Sequence, residues 1–452
     1  MLTLPAFLLA IALLIAIHEY GHYRMARACG VKVLRFSIGF GKPLLRWQAS
    51  PSSTEFVLAI FPVGGFVTML DEREGPVAAE QRHLAFNTQT LGRRAAIVVA
   101  GPLANLLLAV LLYTVINWMG VLLPEAVLSP PPAASLAAKA GLAGGERVLR
   151  IGVSGGELAA VDSFEDVRWA LTRGSLDGED VRLVVSGAQG AERDVLLPLS
   201  TLDSTQVDAE LFKRIGIAFP LTRPTLGELQ ADGAAALAGL REGDEVQSVD
   251  GEPIVDGQQL RNVIRQSVTK GQVTVQRWLV LRGGQLLELP VTPKVVVDGG
   301  QMIGRIGGFV GSQPAMVTVS YGPIDGFWRG VVQTWDISTM TLKMMGKMLV
   351  GQASIKNISG PLTIADYAGK SAGLGVIQYL TFLALVSVSL GVLNLLPLPV
   401  LDGGHLMYYL WEGATGKPVS ERWMKRLQQG GIALLILMMS IAFFNDISRL
   451  LG

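Results

Sequence analysis

Two long stretches without a single charge dominate this sequence, Ala95 to Pro124 and Ser371 to Leu401. A helix needs about 20 predominantly apolar residues to cross a bilayer, where it must satisfy its own backbone because no water is present. Both stretches exceed that length. Met1 to His18 and Gly430 to Asn445 are shorter but very apolar, and each becomes long enough when its ends lie at the interface. Four spans are expected, at 1–30, 94–124, 371–402 and 429–449. Composition agrees, since charged residues make up only 17% of the 452, where about a quarter is usual. A wholly soluble protein is excluded. With 38 Lys+Arg against 37 Asp+Glu, nothing in the charge balance points to nucleic acid. The one cysteine, Cys29, rules out an intrachain disulfide.

The first span lacks the basic leader of a cleavable signal peptide and ends in His18-Glu19-Tyr20-Gly21-His22 rather than in small residues, so it is read as retained. Lys and Arg beside the spans set orientation. Lys32, Arg35, Lys42, Arg46, Arg93 and Arg94 follow the first span, and Lys417, Arg422, Lys425 and Arg426 lie between the third and fourth. The regions 31–93 and 403–428 are therefore expected in the cytoplasm. Both termini and the long central region should face outward.

That central region contains a duplication. Ala140-Gly141-Leu142, followed by Gly145-Glu146 and Val148, recurs as Ala238-Gly239-Leu240, followed by Gly243-Asp244 and Val246. A short helix, a Gly-acid turn and alternating strand-like stretches read as two small β-rich modules, at 126–220 and 221–310. The second copy, Leu240 to Gly251, resembles a PDZ domain; the first, with Glu146 for the usual Asp and an altered turn around Val153 to Gly156, is looser. PDZ domains take chain ends by adding a strand to a sheet edge, so peptide chain ends are candidate partners; spacers or size filters are the rival reading.

The chemistry lies at the membrane ends. His18 and His22, at i and i+4, share one helical face and can hold one metal ion, with Glu19 reaching the water the ion binds. Three ionisable residues at the end of an apolar span are costly unless they serve a function. A catalytic zinc takes three protein ligands and a water, so a third ligand is required. Asp402 closes the third uncharged run, and on the charge-derived orientation it arrives at the same membrane face as His18 and His22. His405, three residues on, is a rival if the helix persists through Gly403-Gly404. His83 reads as a solvated loop residue and Cys29 as a packed small hydrophobe.

Taken together, the H-E-x-x-H of the first span, Gly101-Pro102-Leu103-Ala104-Asn105 in the second, the tandem PDZ-like modules, Ser359-Gly360-Pro361 before the third span and Asn394 to Asp402 within it resemble the site-2 protease family over essentially the whole chain. The resemblance implies an intramembrane zinc endopeptidase of a bacterial inner membrane. His18, His22 and Asp402 would bind Zn2+, Glu19 would be the general base, and Asn394, Pro397, Gly64 and Gly65 would contact substrate. Implied substrates are single-span membrane proteins already trimmed of their outer domain, an anti-sigma factor first and signal-peptide remnants second.

A substrate helix must unwind before hydrolysis, so a strand edge at membrane depth is expected. Phe36 to Gly41 and Glu55 to Val67 are β-like, glycine-interrupted and too short to span as helices; they look like the family's membrane-associated β-hairpins. Region 311–370, where Phe327 to Val350 mixes apolar residues with Arg329, Asp336, Lys343 and Lys347, is expected to lie along the outer interface. The expected fold class is thus a polytopic α-helical membrane protein of four spans, with two inserted PDZ-like domains and membrane-associated hairpins. A non-catalytic PDZ-bearing scaffold and a metal transporter are the competing functions.

Overall fold

The computed structural model describes residues 2–451 apart from 188–189, 203–208, 270, 299–300 and 351–359. Ser359 of the Ser-Gly-Pro motif lies outside the described residues. The chain divides into two compact units, one of residues 1–121, 320–350 and 354–452, the other of residues 122–319.

The first unit is helical. It contains α1 (Thr3–Ala28), a hairpin of β1 (Val33–Trp47) and β2 (Glu55–Met69), α2 (Leu91–Met119), α3 (Pro323–Leu349), α4 (Pro361–Leu374), α5 (Val376–Asn394), α6 (Asp402–Thr415) and α7 (Glu421–Leu451). Among the described residues, four helices are long and apolar enough to cross a membrane, over Thr3–Ala28, Leu91–Met119, Val376–Asn394 and Arg422–Ser448. The centre of the unit is packed by Ala10 and Leu14 of α1, Ala109, Leu112 and Ile116 of α2, and Leu383, Ala384 and Val388 of α5. Small residues allow backbones to close on one another where lipid removes the hydrophobic drive, as where Gly391 of α5 meets Leu106 and the Pro102 carbonyl of α2.

One expectation is corrected. The third uncharged run is not one helix from 371 to 402, because Gly375, at φ 120°, separates α4 from α5. The helix also stops at Asn394, and the connection 395–401 is irregular, since Pro397 and Pro399 have no N–H to continue the ladder. The segment expected along the interface supplies α3, which packs antiparallel on α2. Its Gly326 lies against Trp118 and Asn117, and Gly330 against Val110 and Thr114. Glycines four apart form a groove that accepts α2, and Arg329 stacks over Tyr321 at 4.0 Å, which shelters a charge on this helix.

Asp446 of α7 is 1% exposed. It accepts hydrogen bonds from the backbone N–H groups of Gly360 (2.9 Å), Leu362 (2.9 Å) and Thr363 (3.2 Å) and from the Thr363 hydroxyl (2.5 Å). These are the orphan donors of the α4 N-terminus, for which a carboxylate cap is stabilising. Asp446→Ala should cost about 1–2 kcal/mol, seen as a thermal midpoint lowered by about 3 °C in detergent.

In the second unit, two four-stranded antiparallel sheets share one strand order. The first runs 159–160, 147–153, 181–186, 192–197, the second 252–253, 245–249, 276–282, 285–291. Each is covered by a helix, Phe164–Asp177 or Gly257–Gln266, over cores centred on Phe164 and Trp278. The turn acids play matching parts. Asp244 takes two 2.7 Å bonds from Arg282, which also donates to the Gly239 carbonyl; Glu146 takes one of 3.3 Å from Arg193, which donates to the Gly141 carbonyl.

Burial pushes the Asp244 carboxyl up, but the Arg282 guanidinium and the Arg241 N–H outweigh burial and hold it below the usual carboxylate range. A depressed native value means that the pair stabilises above the ordinary carboxylate pKa near 4, and that this contribution is lost as pH falls through the depressed value. Asp244→Asn should therefore lower the stability of the second module by about 2 kcal/mol at neutral pH and by progressively less as pH falls through the depressed value, measured as the difference between its unfolding midpoints.

Candidate metal centre

The i, i+4 spacing on α1 turns His18 and His22 toward α2, and glycines decide how closely they approach it. A side chain at Gly21 would overlap the Ala100 carbonyl and stand 2.8 Å from the Ala104 methyl. At Gly101 a Cβ would overlap the His22 Nε2 and stand 2.5 Å from its Cε1. His22, 9% exposed, thus fills the space that Gly101 leaves. Its Nδ1–H donates to the Ile97 carbonyl at 2.8 Å, one turn before Pro102, and this bond leaves Nε2 with a bare lone pair for a cation.

The third donor enters from the far side of the sequence. Gly403 and Gly404 pack against the carbonyls of Leu395, Leu396 and Leu398, an approach no side chain would permit, and the resulting tight turn makes Asp402 the first residue of α6. There its charge also suits the positive end of the helix dipole. The Oδ2 atom lies 3.1 Å from His18 Nε2 and 3.5 Å from His22 Nε2, and the two Nε2 atoms are 3.2 Å apart. Zinc ligands at 2.0–2.1 Å in a tetrahedron are separated by about 3.3 Å, so the three atoms outline one face of a zinc tetrahedron with the fourth corner open. The donor set fits zinc.

Among the described residues, His18, His22 and Asp402 are the group that can hold a metal ion. His405 is not part of it; it sits about 4.5 Å further along α6, its ring edge-on to Tyr408 at 6.0 Å. Glu19 is half-buried, follows His18 directly in the chain, and stands outside the donor set.

The hairpin reaches the same place. Phe36 pairs with both Val67 and Phe56, and Trp47 again with Phe56, so the two bent strands form a sheet in the order 43–47, 55–59, 35–38, 65–69. Its bends fall at Gly39 and Gly41, with φ of 90° and 94°. A Cβ at Gly65, on the outer edge, would stand 3.0 Å from Glu19 Cγ and 2.9 Å from Ile15 Cγ2; Gly64 lies against the Phe40 ring. Asn394 ends α5 and Pro397 sits, exposed, on the connection to Asp402. The structure brings Gly65 to Glu19. Gly101, the Ile97 carbonyl and Asn105 belong to the site without having been assigned roles from the sequence.

A bare tetrahedral face with an adjacent carboxylate at the end of an apolar helix defines a membrane-embedded metallohydrolase. Residues 6–438 match the model of peptidase family M50. The chain is 39% identical to the regulator of sigma-E protease RseP of Salmonella typhimurium, over 99% of each chain. It is 38% identical to RseP of Escherichia coli, over 99% of this chain and 98% of the relative. A chain of Ralstonia nicotianae with a zinc metalloprotease name is 42% identical, over 100% of this chain and 99% of that one. The protein belongs to peptidase family M50, the site-2 proteases, and is an intramembrane zinc metalloprotease.

Proposed function

We propose that the protein carries out regulated intramembrane proteolysis in a bacterial inner membrane, cutting single-span proteins near their cytoplasmic side after their outer domain has been removed. The three donor atoms at tetrahedral spacing, with Glu19 on the same helix, carry this reading. Bound zinc supplies a water acidified toward neutrality and polarises the scissile carbonyl. His18, His22 and Asp402 hold the ion and leave its fourth position open. Glu19 takes the proton from the water and delivers it to the leaving amine. The 65–69 edge beside Glu19 offers unpaired backbone groups to an unwound substrate, which adds to the sheet as a further strand; Asn394 and Pro397 line the approach.

The distribution of basic residues supports a site on the cytoplasmic side, with the two β-rich modules, read as PDZ-like, on the outer side. There they exclude substrates with bulky exteriors and engage exposed chain ends. The RseP names of the relatives point to an anti-sigma factor as substrate, and signal-peptide remnants share the required single-span form. The decisive measurement uses the purified chain and a tagged single-span substrate with and without its outer domain. Cleavage of the trimmed form alone, abolished by a zinc chelator, is expected. Cleavage indifferent to chelation, or none of either form, refutes the reading.

A further inference from the structure

His22 has a fixed tautomer through Ile97, and His18 needs an equivalent partner. Its Nδ1 faces the side-chain amide of Asn105 at 3.3 Å. Asn105 is 0% exposed, on the turn of α2 that follows Gly101, and its backbone carbonyl is held by the Ser387 hydroxyl at 2.7 Å. The Asn105 amide nitrogen is the atom turned to His18, and the amide oxygen, Oδ1, is buried with no hydrogen-bond partner. An orphaned acceptor at full burial is costly and calls for a partner.

The two ends of the amide answer to two states of the histidine. With Nδ2 toward the ring, Asn105 donates to a bare Nδ1, which places the His18 proton on Nε2, directed at Asp402 Oδ2, 3.1 Å away. That tautomer cannot ligate a metal through Nε2. With the amide turned over, Oδ1 accepts the proton of Nδ1–H, Nε2 is bare for zinc, and the amide N–H groups take the position the oxygen held. An asparagine serves both states by a half-turn about its last side-chain bond. An aspartate would serve only the second, a leucine neither.

We propose that Asn105 is a positioning residue for zinc, whose amide accepts the His18 Nδ1–H and so holds the imidazole in its ligating tautomer. This rests on the zinc reading of the site but not on Glu19 or on any substrate. The test is a competition titration of the metal-stripped full chain in detergent with zinc and a chromogenic chelator, for the parent, Asn105→Leu and Asn105→Asp. Loss of an outer hydrogen bond to a zinc ligand weakens binding about 10- to 100-fold, and that loss is expected for Asn105→Leu, with the zinc stoichiometry still one at saturation. Asn105→Asp, of the same size and a stronger acceptor, should bind zinc at least as tightly as the parent. An asparagine that merely packs α2 against α1 predicts the reverse, because a buried carboxylate would disturb packing more than an isosteric leucine. Parental affinity in Asn105→Leu, or a tenfold loss in Asn105→Asp, overturns the proposal. If Asn105→Leu does not fold, the Asn105→Asp titration decides alone. If even the parent binds no zinc, the zinc reading itself fails, an outcome distinct from either.

Discussion

Glu19→Gln is expected to abolish peptide-bond cleavage while the chain still binds one zinc per molecule. The substitution keeps the size and half-burial of the side chain, so the packing against Gly65 survives. What disappears is the ability to accept a proton from the metal-bound water. General acid–base groups contribute about 10²- to 10⁴-fold, and one that acts twice in the same turnover lies at the upper end, so the rate on a trimmed single-span substrate should fall by at least about 10³. Zinc retention follows from the geometry, because Glu19 is not among the three donor atoms. A variant that kept a tenth of the parental rate would remove Glu19 from the mechanism, and one that lost its zinc would make Glu19 a ligand.

Gly101→Ala carries the second large effect, with a sign opposite to the one helix propensity assigns. Alanine is preferred over glycine by about 1 kcal/mol within a helix, which alone would make the variant slightly more stable. The added methyl, however, would overlap His22 Nε2 itself, and His22 has no room to retreat because its other nitrogen is held by the Ile97 carbonyl. Either the imidazole swings out of the tetrahedral face or α1 and α2 separate. Both remove a zinc donor, and the expected result is at least a 100-fold loss of zinc affinity with activity below detection. A helical signal near the parental one would accompany it. Gly101→Ala with normal zinc affinity would show that the close approach of the two helices does not hold the ligand.

The spans and two of the proposed ligands are legible from the residues alone because each rests on a local pattern, an uncharged run or an i, i+4 pair. Asp402 is reached from sequence only by adding a second argument, the orientation from basic residues, and even then His405 stands as a rival. What separates them is the turn at Gly403 and Gly404, which begins a new helix at Asp402, a fact of backbone packing with no periodic signature. The break at Gly375 is similarly invisible within an apolar run, since a single glycine does not interrupt hydropathy. Asp446 and Asn105 were hidden for a different reason. Each acts on a partner more than 80 residues away, the N-terminus of α4 and the ring of His18, and neither residue type identifies its partner.

The three proposed zinc donors are widely separated in chain order, His18 and His22 in the first helix and Asp402 some 380 residues later. During synthesis at about 5–20 residues per second, the histidines therefore wait roughly 20–80 s for their third partner. An enzyme able to hydrolyse membrane-embedded peptide bonds thus remains without its metal site while its own early spans, and those of neighbouring nascent chains, are being inserted. On the proposed ligand set, a fragment ending anywhere before Asp402 would lack the third zinc donor, so the metal site would be assembled only after most of the chain has been made.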